Sequence, residues 1–316
     1  MNEKETKSAD WINEAIYWLS RPYIFVVVFS FCFLPITKMA QALESGADFL
    51  NIPTDAKGPA MGAANTAMAS GAASLFYNAA GLSDSEKSEL AFMHAVWIEG
   101  GAYDSVNLAL PGRKWAFGIS YARLDYGSFQ ARAADRSANG SFSAYDRSIS
   151  LAASGKVGGI NLGIAAKSVK TYAAGYSASA LAADIGIMKR AGGFSFGISA
   201  KNLGQNLKML SGETKLPLSV NIGAAINIIP QAAIAVDIQN LVRDGETTIK
   251  VGSEYNLFNT FAIRGGYASA IDSGQRNITG FSGGFGFQFA NMGIDYSFTP
   301  FADFGFTKRV NLSYKF

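Results

Sequence analysis

Residues 115–122 read Trp-Ala-Phe-Gly-Ile-Ser-Tyr-Ala, and this octet decides the fold. Trp115, Phe117, Ile119 and Tyr121 fall on one side of an extended chain, and Ala116, Gly118, Ser120 and Ala122 on the other, because successive strand side chains point to opposite faces. The same alternation returns near the end, where Phe281, Phe285, Phe287 and Phe289 oppose Ser282, Gly284, Gly286 and Gln288. In a soluble sandwich the greasy face packs inward. In an outer-membrane barrel it meets lipid, and the small or polar face lines the interior.

Outward from this octet the period continues to both sides. Strands are expected near 89–98, 101–110, 114–124, 142–153, 160–170, 179–189, 194–203, 216–227, 231–239, 246–256, 260–269, 278–288, 291–299 and 307–316, about fourteen in all. An even number closes a barrel with both ends on one side. The connections sort by parity. Those at 125–141, 171–178, 204–215, 240–245, 270–277 and 300–306 are long, and those at 111–113, 190–193, 228–230 and 257–259 are short. Short periplasmic turns alternating with long outer loops belong to a transmembrane barrel. Two connections depart from the rule: Glu99-Gly100 is short and 154–159 is long.

The last strand ends Val310-Asn311-Leu312-Ser313-Tyr314-Lys315-Phe316, apolar on alternate residues up to a terminal aromatic. Val310, Leu312, Tyr314 and Phe316 form a lipid-facing edge that stays unpaired until the barrel closes. The set resembles the terminal signal by which barrel insertion machinery recognises its clients. Residues 43–88 are different, rich in Ala and Gly and without alternation. They are too few for an independent domain and read as an N-terminal plug inside a barrel of residues 89–316.

Upstream, Lys4, Lys7 and Arg21 precede an apolar run from Ile24 to Ile36, and Met39-Ala40-Gln41-Ala42 follows it. A basic region, a short apolar region and small residues at Ala40 and Ala42 describe a secretory signal peptide over 1–42, cleaved after Ala42. The alternative, a buried helix over 11–33, leaves the small-residue site unexplained. The run is too short for a spanning helix, which needs about 20 residues. The mature chain is thus expected in the outer membrane of a Gram-negative-type bacterium, with outer-membrane lipid as its surroundings.

Composition removes several function classes. The 316 residues carry 27 basic and 24 acidic side chains, net +3, with no basic block to track phosphates, so nucleic acid is not an expected partner. Cys32 is the single cysteine, which excludes an intrachain disulfide and a cysteine zinc site. His94 is the single histidine and has no nucleophile context; it reads as a barrel-wall residue facing the lumen or an interface. There is no HExxH, no P-loop and no GxGxxG opening a helix. Gly283-Gly284-Phe285-Gly286 lies within an alternating segment and marks a bend or close approach. No enzyme activity, cofactor or metal is implied.

The strand faces place Asp184, Asp237, Glu254 and Asp295 inside with Lys201, Lys250, Arg264 and Arg309. Four charges of each sign predict interior ion pairs holding a filled lumen, where a selective pore would carry a ring of one sign. The long outer connection with Arg132, Asp135 and Arg136, and the one at 204–215, are candidates for partner docking.

Family-like motifs run along the mature chain. They include Gly46-Ala47-Asp48-Phe49-Leu50, Gly58-Pro59-Ala60-Met61-Gly62-Ala63-Ala64-Asn65-Thr66-Ala67 and Leu75-Phe76-Tyr77-Asn78-Ala79-Ala80-Gly81-Leu82. Further on stand Ala183-Asp184-Ile185-Gly186, Lys201-Asn202-Leu203-Gly204, Gly252-Ser253-Glu254-Tyr255, Arg264-Gly265-Gly266-Tyr267 and Ile294-Asp295-Tyr296-Ser297-Phe298. In order and spacing they resemble the PorV/PorQ family of outer-membrane proteins, themselves similar to FadL-type barrels. Ala79 stands where that family's aromatic-Asn-Pro-Ala-Gly-Leu element has Pro. The resemblance implies a fourteen-stranded barrel whose plug carries Met61, Gly62, Asn78 and Gly81. It also implies a non-enzymatic part in type IX protein secretion or surface assembly, with secretion subunits and cargo C-terminal domains as partners. The alternative is a FadL-like transporter of hydrophobic small molecules. A purely structural barrel or general porin is weakened by the plug.

Overall fold

The computed structural model describes residues 45–97, 100–132, 137–210, 212–258, 260–270, 280–300 and 305–316. The signal peptide with Ala40 and Ala42, and outer-loop residues Asp135 and Arg136, lie outside the described residues.

The chain is a closed antiparallel transmembrane barrel of fourteen strands. The strands are β1 (Glu89–Val96), β2 (Ala102–Leu110), β3 (Trp115–Arg132), β4 (Ala138–Val157), β5 (Ile160–Ala173), β6 (Tyr176–Ala191) and β7 (Phe194–Gly204). A small hairpin of β8 (Leu207–Met209) and β9 (Gly212–Thr214) follows outside the wall. The wall resumes with β10 (Ser219–Ile229), β11 (Ala232–Leu241), β12 (Glu246–Leu257), β13 (Phe261–Ala270), β14 (Gly280–Phe289), β15 (Met292–Pro300) and β16 (Phe306–Lys315). Each strand pairs with its neighbour in the wall, and β1 with β16 closes the ring in the register Phe92 opposite Leu312. Closure removes both open edges, the only way a sheet satisfies its backbone in lipid.

The alternation read from the sequence sets the faces. Phe117, Leu151, Ile164 and Ile263 are among the exposed large apolar residues of the outer surface, whereas Ala116, Ala152, Ala165 and Ala262 are buried within. Three connections differ from the sequence reading. The stretch 125–141 is mostly strand: β3 and β4 run 18 and 20 residues and carry the sheet well past the other strands. A bulge between Asp125 and Ser128 interrupts the alternation there, so its Gly and Ser read as loop. Likewise 171–178 closes in a two-residue turn at Ala174-Gly175, both with positive φ. The turn between β4 and β5 is only Gly158-Gly159, as short as the other turns at that end. The turns at the end that carries both barrel termini are all short, whereas the other end has the longer connections besides the Ala174-Gly175 turn, so the first is the periplasmic end. Ser88 and Phe316 exchange two backbone hydrogen bonds there, at 3.1 and 2.9 Å.

Residues 45–88 fill the lumen from the outer rim to the periplasmic rim. Ser45 bridges to Lys215, and its hydroxyl meets the Asp244 carboxylate, both on outer connections. Short helical turns follow, including Asp48–Asn51, Ser74–Tyr77 and Ala79–Asp84. An upper apolar cluster joins Phe49, Leu50 and Ile52 to Met93, Trp97, Tyr103, Leu124 and Val169. A lower one joins Leu75, Ala79 and Leu82 to Ala109, Ala116, Ala152 and Ala165. Small wall residues let plug backbone come close: a Cβ on Gly163 would overlap the Ala80 backbone nitrogen, and one on Gly266 would overlap the Met61–Gly62 peptide.

Candidate functional site

The lumen site is built where plug and wall fail to close on each other. The plug contributes Pro59, Gly62, Ala63, Thr66, Phe76 and Tyr77, and the wall contributes Lys201, Lys250 and Arg309 among others; together they bound a cavity of about 270 Å³. It reaches Trp97, Leu241 and Gly280 near the outer ends of their strands. Phe49, Ile52, Phe76, Trp97, Leu124 and Leu241 give it an apolar side.

Its polar side holds three cations beside neutral groups such as Asn51, Asn221, Gln239 and Thr248. Lys201 follows Gly197 and Ser199 on the inward face of β7, and a bulge turns Asn202 inward beside it. Ala183 pairs with Leu203 and Ile185 with Ala200, so Asp184 alone opposes both Lys201 and Asn202. Asn202 takes a left-handed φ of 62°. Its N–H donates to Asp184 Oδ1 at 2.8 Å, its side-chain oxygen accepts from Lys167 at 3.0 Å, and its amide donates to the Pro217 carbonyl at 3.0 Å. Bulges of this kind re-aim a side chain. Lys201 Nζ, in turn, lies 4.0 Å from the centroid of the Phe76 ring and donates to the Phe76 carbonyl at 3.3 Å. Lys250 donates to Gln239 Oε1 at 2.8 Å. Arg309 is fully buried, donates to Thr299 Oγ1 at 2.5 Å and stands 5.6 Å from the Trp97 ring, with its Nε and Nη2 without a hydrogen-bond partner.

Among the described residues none of these three cations holds an ion pair, and Asp48 is the one carboxylate lining the cavity. Buried donors left unpaired are uncommon and point to a missing acceptor. The arrangement can therefore seat a small molecule with an apolar body and an acidic or polar head.

The sequence-predicted interior charges divide. Glu254, Arg264 and Asp295 meet: Arg264 donates to Glu254 at 2.6 Å and to Asp295 at 2.7 Å, and Lys57 of the plug adds a contact to Glu254 at 2.9 Å. Asp184 pairs with Lys167 at 2.6 Å, a partner the sequence reading passed over; Lys167 sits at an inward position of the alternation and was open to it. Asp237 accepts from the backbone N–H groups of Asn65 and Thr66 at 2.9 and 2.8 Å and so holds the plug. Lys201, Lys250 and Arg309 face the cavity without ion pairs, so the expected interior ion pairs form for only part of the set.

The plug residues act at its folds. Gly62, with φ of 64°, donates its N–H to Ser282 Oγ at 3.0 Å beside the buried Met61. Asn78 accepts from Ala80 N–H at 3.2 Å and donates to the carbonyls of Thr66 and Ile187, both at 3.1 Å. Gly81 packs on the Ala69 carbonyl. Burial pushes the Asp55 carboxyl up to about 6, though it accepts from Gly58 N–H and the Tyr77 hydroxyl. His94 points to the outer surface and not the lumen, its Nδ1 2.7 Å from Asp104. Val310, Leu312, Tyr314 and Phe316 are exposed on the outer face, with the last two rings stacked at 6.0 Å. No group of three or more potential metal ligands occurs among the described residues.

No family model and no curated protein sequence matches the chain. Among solved structures, it resembles the toluene transporter TodX of Pseudomonas putida, at 14% identity and a TM-score of 0.63 over 87% of this chain and 99% of that one. A second TodX structure gives 12% and 0.60 over 88% and 99%. A FadL homologue of Pseudomonas aeruginosa gives 12% and 0.56 over 83% and 98%. At these identities the likeness is one of fold alone.

Proposed function

We propose that this protein is a non-enzymatic outer-membrane transporter that takes up small amphipathic molecules, an apolar body carrying an acidic group, from outside the cell. The cavity carries the reading. It lies between plug and wall, reaches the outer end of the barrel and sets buried Arg309 donors and two lysines against Phe49, Phe76 and Trp97. The likeness in fold to a toluene transporter and a FadL homologue supports transport. The bacterial outer membrane is the location this fold suits.

Binding and uptake of labelled short aromatic or alkyl carboxylates by outer-membrane vesicles containing the barrel test the reading. Lys201→Met should weaken binding of the acid roughly tenfold and leave a neutral aromatic of equal size unchanged. Absence of both binding and uptake for every such compound would overturn it.

The secretion reading, with cargo C-terminal domains and secretion subunits as partners, has one feature in its favour. The tall β3–β4 hairpin carries Phe129 and Phe142, exposed and stacked at 5.4 Å, beyond the shorter strands. Co-purification of secretion subunits, lost in Phe129→Ser/Phe142→Ser, would move the assignment there.

A further inference from the structure

On the outer surface of β3, β4 and β5, three basic residues stand side by side. Arg123 is the register partner of Arg147, and Arg147 of Lys170. Their outward direction follows from parity: Arg123 shares its face with Ile119, Arg147 with Ile149 and Leu151, and Lys170 with Leu162 and Ile164, all exposed apolar residues. Like charges directly opposite on neighbouring strands repel, so the row calls for an anion.

The carboxylates nearby serve only one end of it. Asp125 accepts from Arg123 at 2.7 Å, and Asp104, the register partner of Arg123, is taken by His94 at 2.7 Å. Arg147 and Lys170 hold no ion pair among the described residues. One step further towards the outer end, the rings of Tyr145 and Tyr172 stack at 5.0 Å, and the Arg123 guanidinium lies 4.5 Å over the Tyr145 ring. Towards the membrane centre stand Ile149 and Leu181 one step down, Leu151 two steps and Ile164 three, all exposed apolar residues.

We infer that this face is a binding site for a phosphorylated glycolipid of the outer leaflet. The three layers match the three parts of such a molecule in order of depth. Acyl chains lie on the isoleucine and leucine strip, a phosphate lies between Arg147 and Lys170, and the sugar ring rests against the tyrosine pair. Arginine matches the phosphate because its planar fork donates two parallel hydrogen bonds. The site belongs to the tall part of the wall, outside the barrel, and is separate from the lumen cavity.

The test reconstitutes the full barrel in phosphatidylcholine vesicles with lipid A, with dephosphorylated lipid A, or with inorganic phosphate alone. It reads the thermal unfolding midpoint and the lipid retained after detergent extraction. The expected result is a raised midpoint and retained glycolipid with lipid A only. Arg147→Ala/Lys170→Ala should retain roughly tenfold less, and Lys170→Arg should retain as much as the parent. Heat-modifiable migration shows that each variant is a closed barrel; a double variant that does not close is replaced by Arg147→Gln alone, for which the same loss is expected. Equal retention by parent and variant overturns the site. An equal shift with inorganic phosphate, or with the dephosphorylated lipid, overturns the glycolipid as its ligand.

Discussion

Inside the barrel, Arg264 and Glu254 are register partners on adjacent strands, and their side chains meet at 2.6 Å with both nearly excluded from solvent. Asp295 and Lys57 complete the cluster at 2.7 and 2.9 Å, so plug and wall share one set of charges. Removing one partner of a buried pair leaves the other charge uncompensated, at a cost of about 3–5 kcal/mol. Arg264→Ala should lower the thermal midpoint of the detergent-solubilised barrel clearly, and Arg264→Met/Glu254→Leu should recover much of that loss. An unchanged midpoint in Arg264→Ala would refute the structural weight given to the cluster.

The fit of the plug depends on wall glycines. A side chain at Gly163 has no room beside the Ala80 backbone. Gly163→Val should therefore expose residues 45–88 to added protease while the barrel still migrates as a closed, heat-modifiable form. Full protection of the plug in that variant would count against the close approach.

The Asp55 carboxyl, held up to about 6 by burial in the plug, gives a pH dependence of definite sign. Its neutral form is favoured in the folded state, so its contribution is complete below the unfolded value near 4 and is lost as pH rises through about 6. That contribution is of order 3 kcal/mol. Midpoints measured between pH 4 and 8 should fall more steeply for the parent than for Asp55→Asn. Parallel curves would exclude Asp55 as the source.

Deleting Phe316 removes the backbone bonds to Ser88 and the ring stacked on Tyr314. The expected outcome is reduced insertion, seen as less heat-modifiable barrel in outer-membrane fractions, together with a lower midpoint for what does insert. Wild-type amounts would argue that the terminal aromatic has no part in assembly.

The wall was legible because a period of two is a one-dimensional signal that survives without knowledge of neighbours. Trp115 to Ala122 announced both faces at once. The reading failed at 125–141, where a bulge breaks the alternation and Ser, Gly and Ala imitate a loop. Interior charges were found by face but not by partner, since face comes from parity and partner from register and depth. Asp184 thus met Lys167 and not Lys201. The plug has no period of its own because its short turns take their form from the wall. The cavity, which joins Phe76 to Lys250 and Arg309, depends on that wrapping and left no local trace.

The unequal strands have a consequence for traffic. β4 has 20 residues and β15 has 9, which at ~3.3 Å per residue and ~40° tilt is a difference of roughly 28 Å in height. Among the described residues the strands run long over β3 to β6 and short over β13 to β16. On the transport reading proposed above, a molecule skimming the cell surface meets long strands on one side and shorter ones on the opposite side. Crowding by neighbouring proteins would then throttle entry only where they gather along the side of the shorter strands.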